Sequence, residues 1–215
     1  MSDIKVIDNL VNEQYFKKLQ EQFMSPEVPW IYADNVIGEE DLRCDPKYNY
    51  QLALDIYSDF SPKSQAFEIL HPIVSHPELK MVGLFRIKAN MNTATEEIQE
   101  HGLHTDAAFK CRTAVFFLNT NNGYTLFEDG TKVESVANRI VTFPSNMEHS
   151  GTSCTDQKRR LVINFNYFEG EFFDVPKHRH KYFGIEEPKQ EEKIIQPPRS
   201  EIISNYHPSD NRLIY

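Results

Sequence analysis

Four short runs constrain this chain more than any other feature: KMVGLFRIKAN (80–90), RTAVFFLN (112–119), NRIVTF (138–143) and RRLVINFNYF (159–168). Each is rich in β-branched and aromatic residues, and clusters of Asn, Gly and Asp separate them, which is the pattern of successive short strands. The Asn-Gly of NTNNGYT (119–125) and the Asp-Gly of FEDGTKV (127–133) tolerate the positive φ that a tight hairpin demands. The second half of the chain therefore reads as an antiparallel β-sandwich or barrel.

The first half has a different texture. In VIDNLVNEQYFKKLQEQF (6–23) a short strand precedes a helix that Asn9 or Asn12 can cap, with Leu10, Tyr15, Phe16, Leu19 and Phe23 at roughly helical spacing. SPEVPW (25–30) ends it. A second helix is expected over SPKSQAFEILHPIVSH (61–76), where Pro62 suits a first helical position and Phe67, Leu70 and Ile73 recur every third residue. Pro77 closes it. Residues 1–183 are read as one domain, with helical support over 1–79 and a β core over 80–170. Residues 184–215 are a charged, proline-containing tail.

Between the first two β runs lies HGLHTDAAF (101–109), which places His104 and Asp106 two apart. On a strand, residues i and i+2 share a face, so both side chains can reach one ion while Thr105 points away. A third ligand from another strand is available in His149, 43 residues after Asp106 and just beyond the apolar run NRIVTF. Two histidines and a carboxylate suit a non-haem iron centre with open coordination positions, and equally a tetrahedral zinc. In RRLVINFNYF, alternation puts Arg160, Val162, Asn164 and Asn166 on one face and Arg159 on the other. A buried arginine there can bind a carboxylate through two parallel hydrogen bonds.

An HxD pair, a distal histidine and an arginine on the following strand resemble the Fe(II)/2-oxoglutarate-dependent oxygenases, and within them the prolyl-4-hydroxylase-like branch. The resemblance runs from about Arg86 to Phe168. RIKANM resembles the strand before the HxD, TAVFFLNTNNGYTLFEDG the strand, turn and Gly-x-Thr-x-Phe element, and NRIVTFPSNMEHSG the strand leading to the distal histidine. The resemblance implies a mainly β fold with flanking N-terminal helices, a double-stranded β-helix (jelly roll, cupin-like). It implies that His104, Asp106 and His149 hold Fe(II), that Arg160 pairs with the distal carboxylate of 2-oxoglutarate, and that Thr125 and Asn164 are further contacts for that co-substrate. Tyr124 is a weaker candidate. Position counting in the branch favours Arg159 and the register of the strand favours Arg160.

What the resemblance implies chemically is O2-dependent hydroxylation of a C–H bond with release of succinate and CO2, ascorbate serving as reductant. The substrate is a small molecule, peptide or protein, with prolyl or another amino-acid residue among the candidates. Asp106 stands where related halogenases have a small residue, which speaks against halogenation. A non-catalytic metal- or small-molecule-binding jelly-roll module is the alternative reading. A nucleic-acid demethylase of the same superfamily would carry a second arginine six residues after Arg160, where this chain has Asn166, and a formal net charge of −9 opposes binding to a polyanion.

Cys44, Cys111 and Cys154 form neither a disulfide framework nor a zinc-knuckle spacing, and no apolar run reaches the length of a membrane span. A soluble protein of the cytoplasm is the expectation. His101 is expected at the approach to the site and exposed to solvent, His178 and His180 on a basic surface, and Trp30 and Tyr32 in the core.

Overall fold

A computed structural model of the protein describes residues 3–170; His178, His180 and the 184–215 tail lie outside the described residues. In chain order the elements are β1 (Lys5–Ile7), α1 (Glu13–Met24), β2 (Ile31–Ala33), β3 (Gln51–Ser58), β4 (Ser61–Pro62), α2 (Ala66–Ile69), α3 (His71–Val74), β5 (Met81–Thr93), β6 (Arg112–Phe117), β7 (Tyr124–Phe127), β8 (Lys132–Glu134), β9 (Ile140–Pro144), β10 (His149–Gly151) and β11 (Arg159–Glu169). Two sheets result. The larger runs β1-β9-β6-β11-β5-β3-β2, with β4 on β3, and the smaller runs β10-β7-β8. Every pairing is antiparallel, as expected of a double-stranded β-helix.

The large sheet is covered on both faces, which explains why β6 and β11 read as almost unbroken apolar runs. On its outer face, Ala114, Phe116, Leu161, Ile163, Phe165 and Tyr167 pack with Tyr15, Phe16, Leu19 and Phe23 of α1. On its inner face Val115, Phe117, Val141, Phe143 and Val162 meet Phe127 and Val133 of the small sheet. This second core is smaller, and the polar inner positions of β5 and β11 take up the rest of that face.

Asn12 caps α1, its side chain accepting from the Tyr15 amide at 2.9 Å; Asn9 is instead in the left-handed region (φ 51°) before the helix. The expected second helix is broken. Ser61 and Pro62 pair with β3, and the helical part is two short pieces meeting at Leu70. Pro72 explains the break, because it has no N–H to give to the carbonyl four residues back and its ring crowds that position. The first 79 residues, read as helical support, also supply β1, β2, β3 and β4 to the large sheet. Of the two aromatics expected in the core, Trp30 is partly buried against it, whereas Tyr32 is 59% exposed and stacks on Tyr50.

The two turn signals diverge. Asp129-Gly130 makes the β7–β8 hairpin, with Gly130 at φ 85° and its amide bonded to the Phe127 carbonyl at 2.9 Å. Asn122-Gly123 makes no hairpin: β6 pairs with β9 and β11, and the chain crosses to the small sheet there.

One buried asparagine ties the N-terminal segment to the sandwich. The Asn138 side chain accepts from the Val11 amide at 3.1 Å and donates to the Val11 carbonyl at 2.7 Å, from a backbone at φ 63°. Asn138→Ala leaves both Val11 backbone groups without those partners and should lower stability by about 2–4 kcal/mol. A urea melt with an unchanged midpoint would contradict this.

Candidate metal centre

The HxD pair sits not on a regular strand but on a segment that runs antiparallel to β10 through two isolated bridges, Glu100 with Thr152 and His104 with His149. That bridge, closed by reciprocal amide–carbonyl bonds of 2.9 and 3.0 Å, brings the two histidines together; their ring centroids are 4.6 Å apart. Gly102 makes the approach possible, since at φ 142° an added Cβ would lie 2.2 Å from the Asp41 carbonyl oxygen. The Asp106 backbone is then held by its amide on the Ser145 carbonyl, 2.9 Å away, at the end of β9.

His104, Asp106 and His149 each offer one ligand atom, all within 4.8 Å of one another. His104 Nε2 is 4.0 Å from Asp106 Oδ1 and His149 Nε2 is 3.9 Å from Oδ2. Ligands about 2.1 Å from one ion stand about 3.0–3.4 Å apart at octahedral or tetrahedral angles, so the three side chains face one space of the right kind for a divalent metal and would draw in by about 1 Å to hold it. His149 Nδ1 lies 3.0 Å from the Met147 carbonyl, which places its proton there and leaves Nε2 with a free lone pair. Burial lowers the His149 pKa, against the pull of Asp106, and so favours the neutral, ligating form. Among the described residues, His104 Nδ1 is buried without a hydrogen-bond partner.

Asp106 is oriented by three residues. The Thr113 hydroxyl donates to Oδ2 at 2.7 Å, the Asn166 amide to the same oxygen at 2.9 Å, and Arg86 to Oδ1 at 3.3 Å. Burial alone would raise its pKa; His149, Thr113, Asn166 and Arg86 together hold the carboxyl below the usual range.

A cavity of about 220 Å³ is lined by this cluster and also by Arg160, Thr125 and Asn164. Arg160 is 2% exposed and Arg159 faces the opposite side, where it donates to the Met24 carbonyl at the end of α1 at 3.1 Å. The Arg160 guanidinium gives hydrogen bonds to Ser135 Oγ (2.8 Å) and Thr125 Oγ1 (3.2 Å) and lies 5.5 Å from the Phe117 ring. Among the described residues it has no carboxylate partner, and burial pushes its pKa down to about 10. Gly123 leaves it room: an added Cβ would be 2.8 Å from Arg160 Cδ and 2.5 Å from the Ser153 carbonyl oxygen.

Two expected placements do not hold. His101 is buried, 3% exposed, with Nδ1 3.1 Å from the Gly151 carbonyl, because the segment carrying it is drawn in against β10. The Tyr124 hydroxyl is committed away from the cavity, donating to Glu100 at 2.6 Å with Lys132 2.9 Å from it. Sequence reasoning missed Thr113 and Asn166, and also Arg86, Lys88, Asn90 and Asn92 of β5, which line the cavity. Their signal was legible: four polar residues at a strict period of two inside a strand whose other face is apolar.

No protein-family model matches the chain, and no curated protein matches it in sequence. Solved structures match its fold. A prolyl hydroxylase from Trichoplax adhaerens, solved in complex with a hypoxia inducible factor oxygen degradation domain peptide fragment, superposes with a TM-score of 0.55 at 13% identity over 79% of this chain and 84% of that one. The epimerase SnoN, solved with Fe3+, alpha ketoglutarate and nogalamycin RO, gives 0.55 at 13% identity over 78% and 79%. The viral collagen prolyl hydroxylase of Paramecium Bursaria Chlorella virus-1, a 2-oxoglutarate complex, gives 0.50 at 10% identity over 78% and 97%. At these identities the likeness is one of fold: the chain is a double-stranded β-helix of the kind found in 2-oxoglutarate/Fe(II) oxygenases of prolyl-4-hydroxylase type.

A buried cation without a counter-ion destabilises the empty protein, so replacing it with an apolar side chain of similar length should be nearly neutral. Arg160→Met is expected to keep the ligand-free stability within about 1 kcal/mol of wild type. Glutarate, a plain dicarboxylate, should raise the melting temperature of the wild type and not of the variant. A marked loss of stability in Arg160→Met, or equal stabilisation of both by glutarate, would show that the guanidinium serves the fold and not an anion.

Proposed function

We propose that this protein is an Fe(II)- and 2-oxoglutarate-dependent dioxygenase that hydroxylates a C–H bond of its substrate. The observation that carries this reading is a fully buried arginine without a counter-ion in the same cavity as a His-Asp-His cluster. A dianion that reaches the ion at one end and the guanidinium at the other satisfies both. A non-catalytic metal- or small-molecule-binding module could use the same cavity, and succinate formation separates it from the oxygenase.

His104, Asp106 and His149 would hold the iron. When bound, the iron with 2-oxoglutarate and O2 supplies the oxidising chemistry: the 2-oxo acid leaves as succinate and CO2, one oxygen atom ending in succinate and the other as the new hydroxyl. The chain's own work is orientation. Arg160 receives the distal carboxylate of 2-oxoglutarate in a site where little water competes, which strengthens the charged hydrogen bonds. The Thr125 hydroxyl accepts from Arg160 and so directs its own proton toward the same carboxylate. Asn164, facing the cavity from the same strand, would contact the chelating end. Val115 and Val162 line the cavity between and exclude water. Thr113, Asn166 and Arg86 keep Asp106 ionised and aimed.

The fold's likeness to prolyl hydroxylases supports an amino acid, free or within a chain, as the molecule hydroxylated, with ascorbate as the reductant that keeps the iron ferrous. The acidic balance supports a partner other than nucleic acid. Among the described residues no helix is long and apolar enough to cross a membrane, which fits action in the cytoplasm.

His104→Ala or His149→Ala should abolish Fe(II)-dependent succinate formation while the fold persists; turnover retained in both would refute the ligand set. The arginines separate more finely. Losing a desolvated partner of a carboxylate costs roughly 2–5 kcal/mol, so Arg160→Ala should raise the apparent KM for 2-oxoglutarate tens- to thousands-fold. Arg159→Ala should change it less than about threefold. The reverse result would move the co-substrate to the other face of β11.

A further inference from the structure

The cavity holds more positive charge than 2-oxoglutarate and its metal account for. Along its sheet wall the inward residues of β5 and β11 stand in cross-strand pairs: Asn92 with Arg160, Asn90 with Val162, Lys88 with Asn164, Arg86 with Asn166. Arg160 is the anion point at one end, and Arg86 at the other is bonded to Asp106. Lys88, between them, has neither a hydrogen bond nor an ion pair among the described residues. Its cross-strand neighbour on β3, Asp55, takes the Ser58 hydroxyl at 2.6 Å instead. Three cationic side chains thus line a cavity with one carboxylate, that of Asp106. A divalent metal and a dianion cancel each other and leave that excess standing.

A second observation points the same way. Asn90 and Asn164 also line the cavity, and among the described residues neither amide has a hydrogen-bond partner; the Oδ1 of each is closed off, which leaves the Nδ2 groups to face a ligand. With Asn164 at the chelating end of 2-oxoglutarate, what satisfies the rest is a second ligand with an anionic group for Lys88 and for the Asn90 amide beside it. The cavity, about 220 Å³, has to take this ligand together with 2-oxoglutarate, which favours a small molecule.

We propose that the substrate is a free amino acid, its carboxylate held by Lys88 and the Asn90 amide Nδ2, beside the residues proposed to hold the metal. Burial and the neighbouring Arg86 charge lower the Lys88 pKa against the pull of Asp55 and Asp106, and an arriving carboxylate adds to that pull. Lys88 is here a binding residue for the substrate, distinct from Arg160, which binds the co-substrate. The inference rests on the proposed oxygenase reading, because the second ligand is defined by what 2-oxoglutarate leaves unmet.

The test uses the full chain loaded with Zn(II), which does not turn over, and saturated with 2-oxoglutarate. The twenty standard L-amino acids are titrated singly, with saturation-transfer NMR as the readout. For each that binds, its carboxamide follows, on wild type and on Lys88→Met. At least one free amino acid is expected to bind, its carboxamide at least about tenfold more weakly, and Lys88→Met should remove the difference between acid and carboxamide. The proposal is overturned if no free amino acid binds, if acid and carboxamide bind alike, or if Lys88→Met weakens 2-oxoglutarate itself about tenfold, which would give Lys88 to the co-substrate. Failure of the wild type to bind 2-oxoglutarate at the start would refute the oxygenase reading; normal 2-oxoglutarate binding with no amino-acid binding would refute the substrate alone.

Discussion

Strand β11 is the seam on which the structure depends. It is hydrogen-bonded to β5 on one side and β6 on the other, and its period-two alternation sorts consecutive residues into two environments. Leu161, Ile163, Phe165 and Tyr167 seal the core under α1, and Arg160, Val162, Asn164 and Asn166 face the cavity. A slip of one residue would bury Arg160, Asn164 and Asn166 in the apolar set's former places and turn that set, with Arg159, to the cavity, so the packing of α1 enforces the register that aims Arg160. Stability and site geometry are here the same constraint.

On that frame the site is a problem in charge placement. The protein gathers Arg86, Lys88 and Arg160 around one carboxylate, neutralises the first through Asp106, and leaves the other two for ligands. The proposed metal ligands are treated oppositely: Asp106 is surrounded by donors that favour its ionised form, and the burial of His149 favours its neutral form. Both states are those a metal requires, since ligation needs a deprotonated carboxylate and an unprotonated imidazole. The donors around Asp106 come from β5, β6 and β11, so the large sheet orients a carboxylate borne on its own β5–β6 connection.

How much of this could be read from the residues alone differs by physical cause. The four β runs, the α1 cap at Asn12 and the placement of Arg160 opposite Arg159 follow from periodicities of 2 and 3.6, which are local. The broken helix at 61–76 follows from Pro72, a local signal outweighed by the regular spacing of Phe67, Leu70 and Ile73. His101 was misplaced because its burial depends on a bridge between residues 100 and 152, a contact with no local signature. The same holds for Gly123, whose role as space for Arg160 is visible only once β11 lies beside it. The polar face of β5 was the avoidable omission: Arg86, Lys88, Asn90 and Asn92 alternate strictly, and a polar stripe on a strand covered on both faces marks a cavity.

The central claim is that one dicarboxylate spans the metal position and Arg160, and calorimetry tests it most directly. 2-Oxoglutarate is titrated, without O2, into metal-free protein and into protein loaded with Fe(II). The account predicts one site, with the metal tightening 2-oxoglutarate binding and 2-oxoglutarate tightening metal binding by the same factor, as linkage requires when the two touch. Equal affinity for 2-oxoglutarate with and without Fe(II) would mean that the arginine and the His-Asp-His cluster serve separate ligands, and the account would fail.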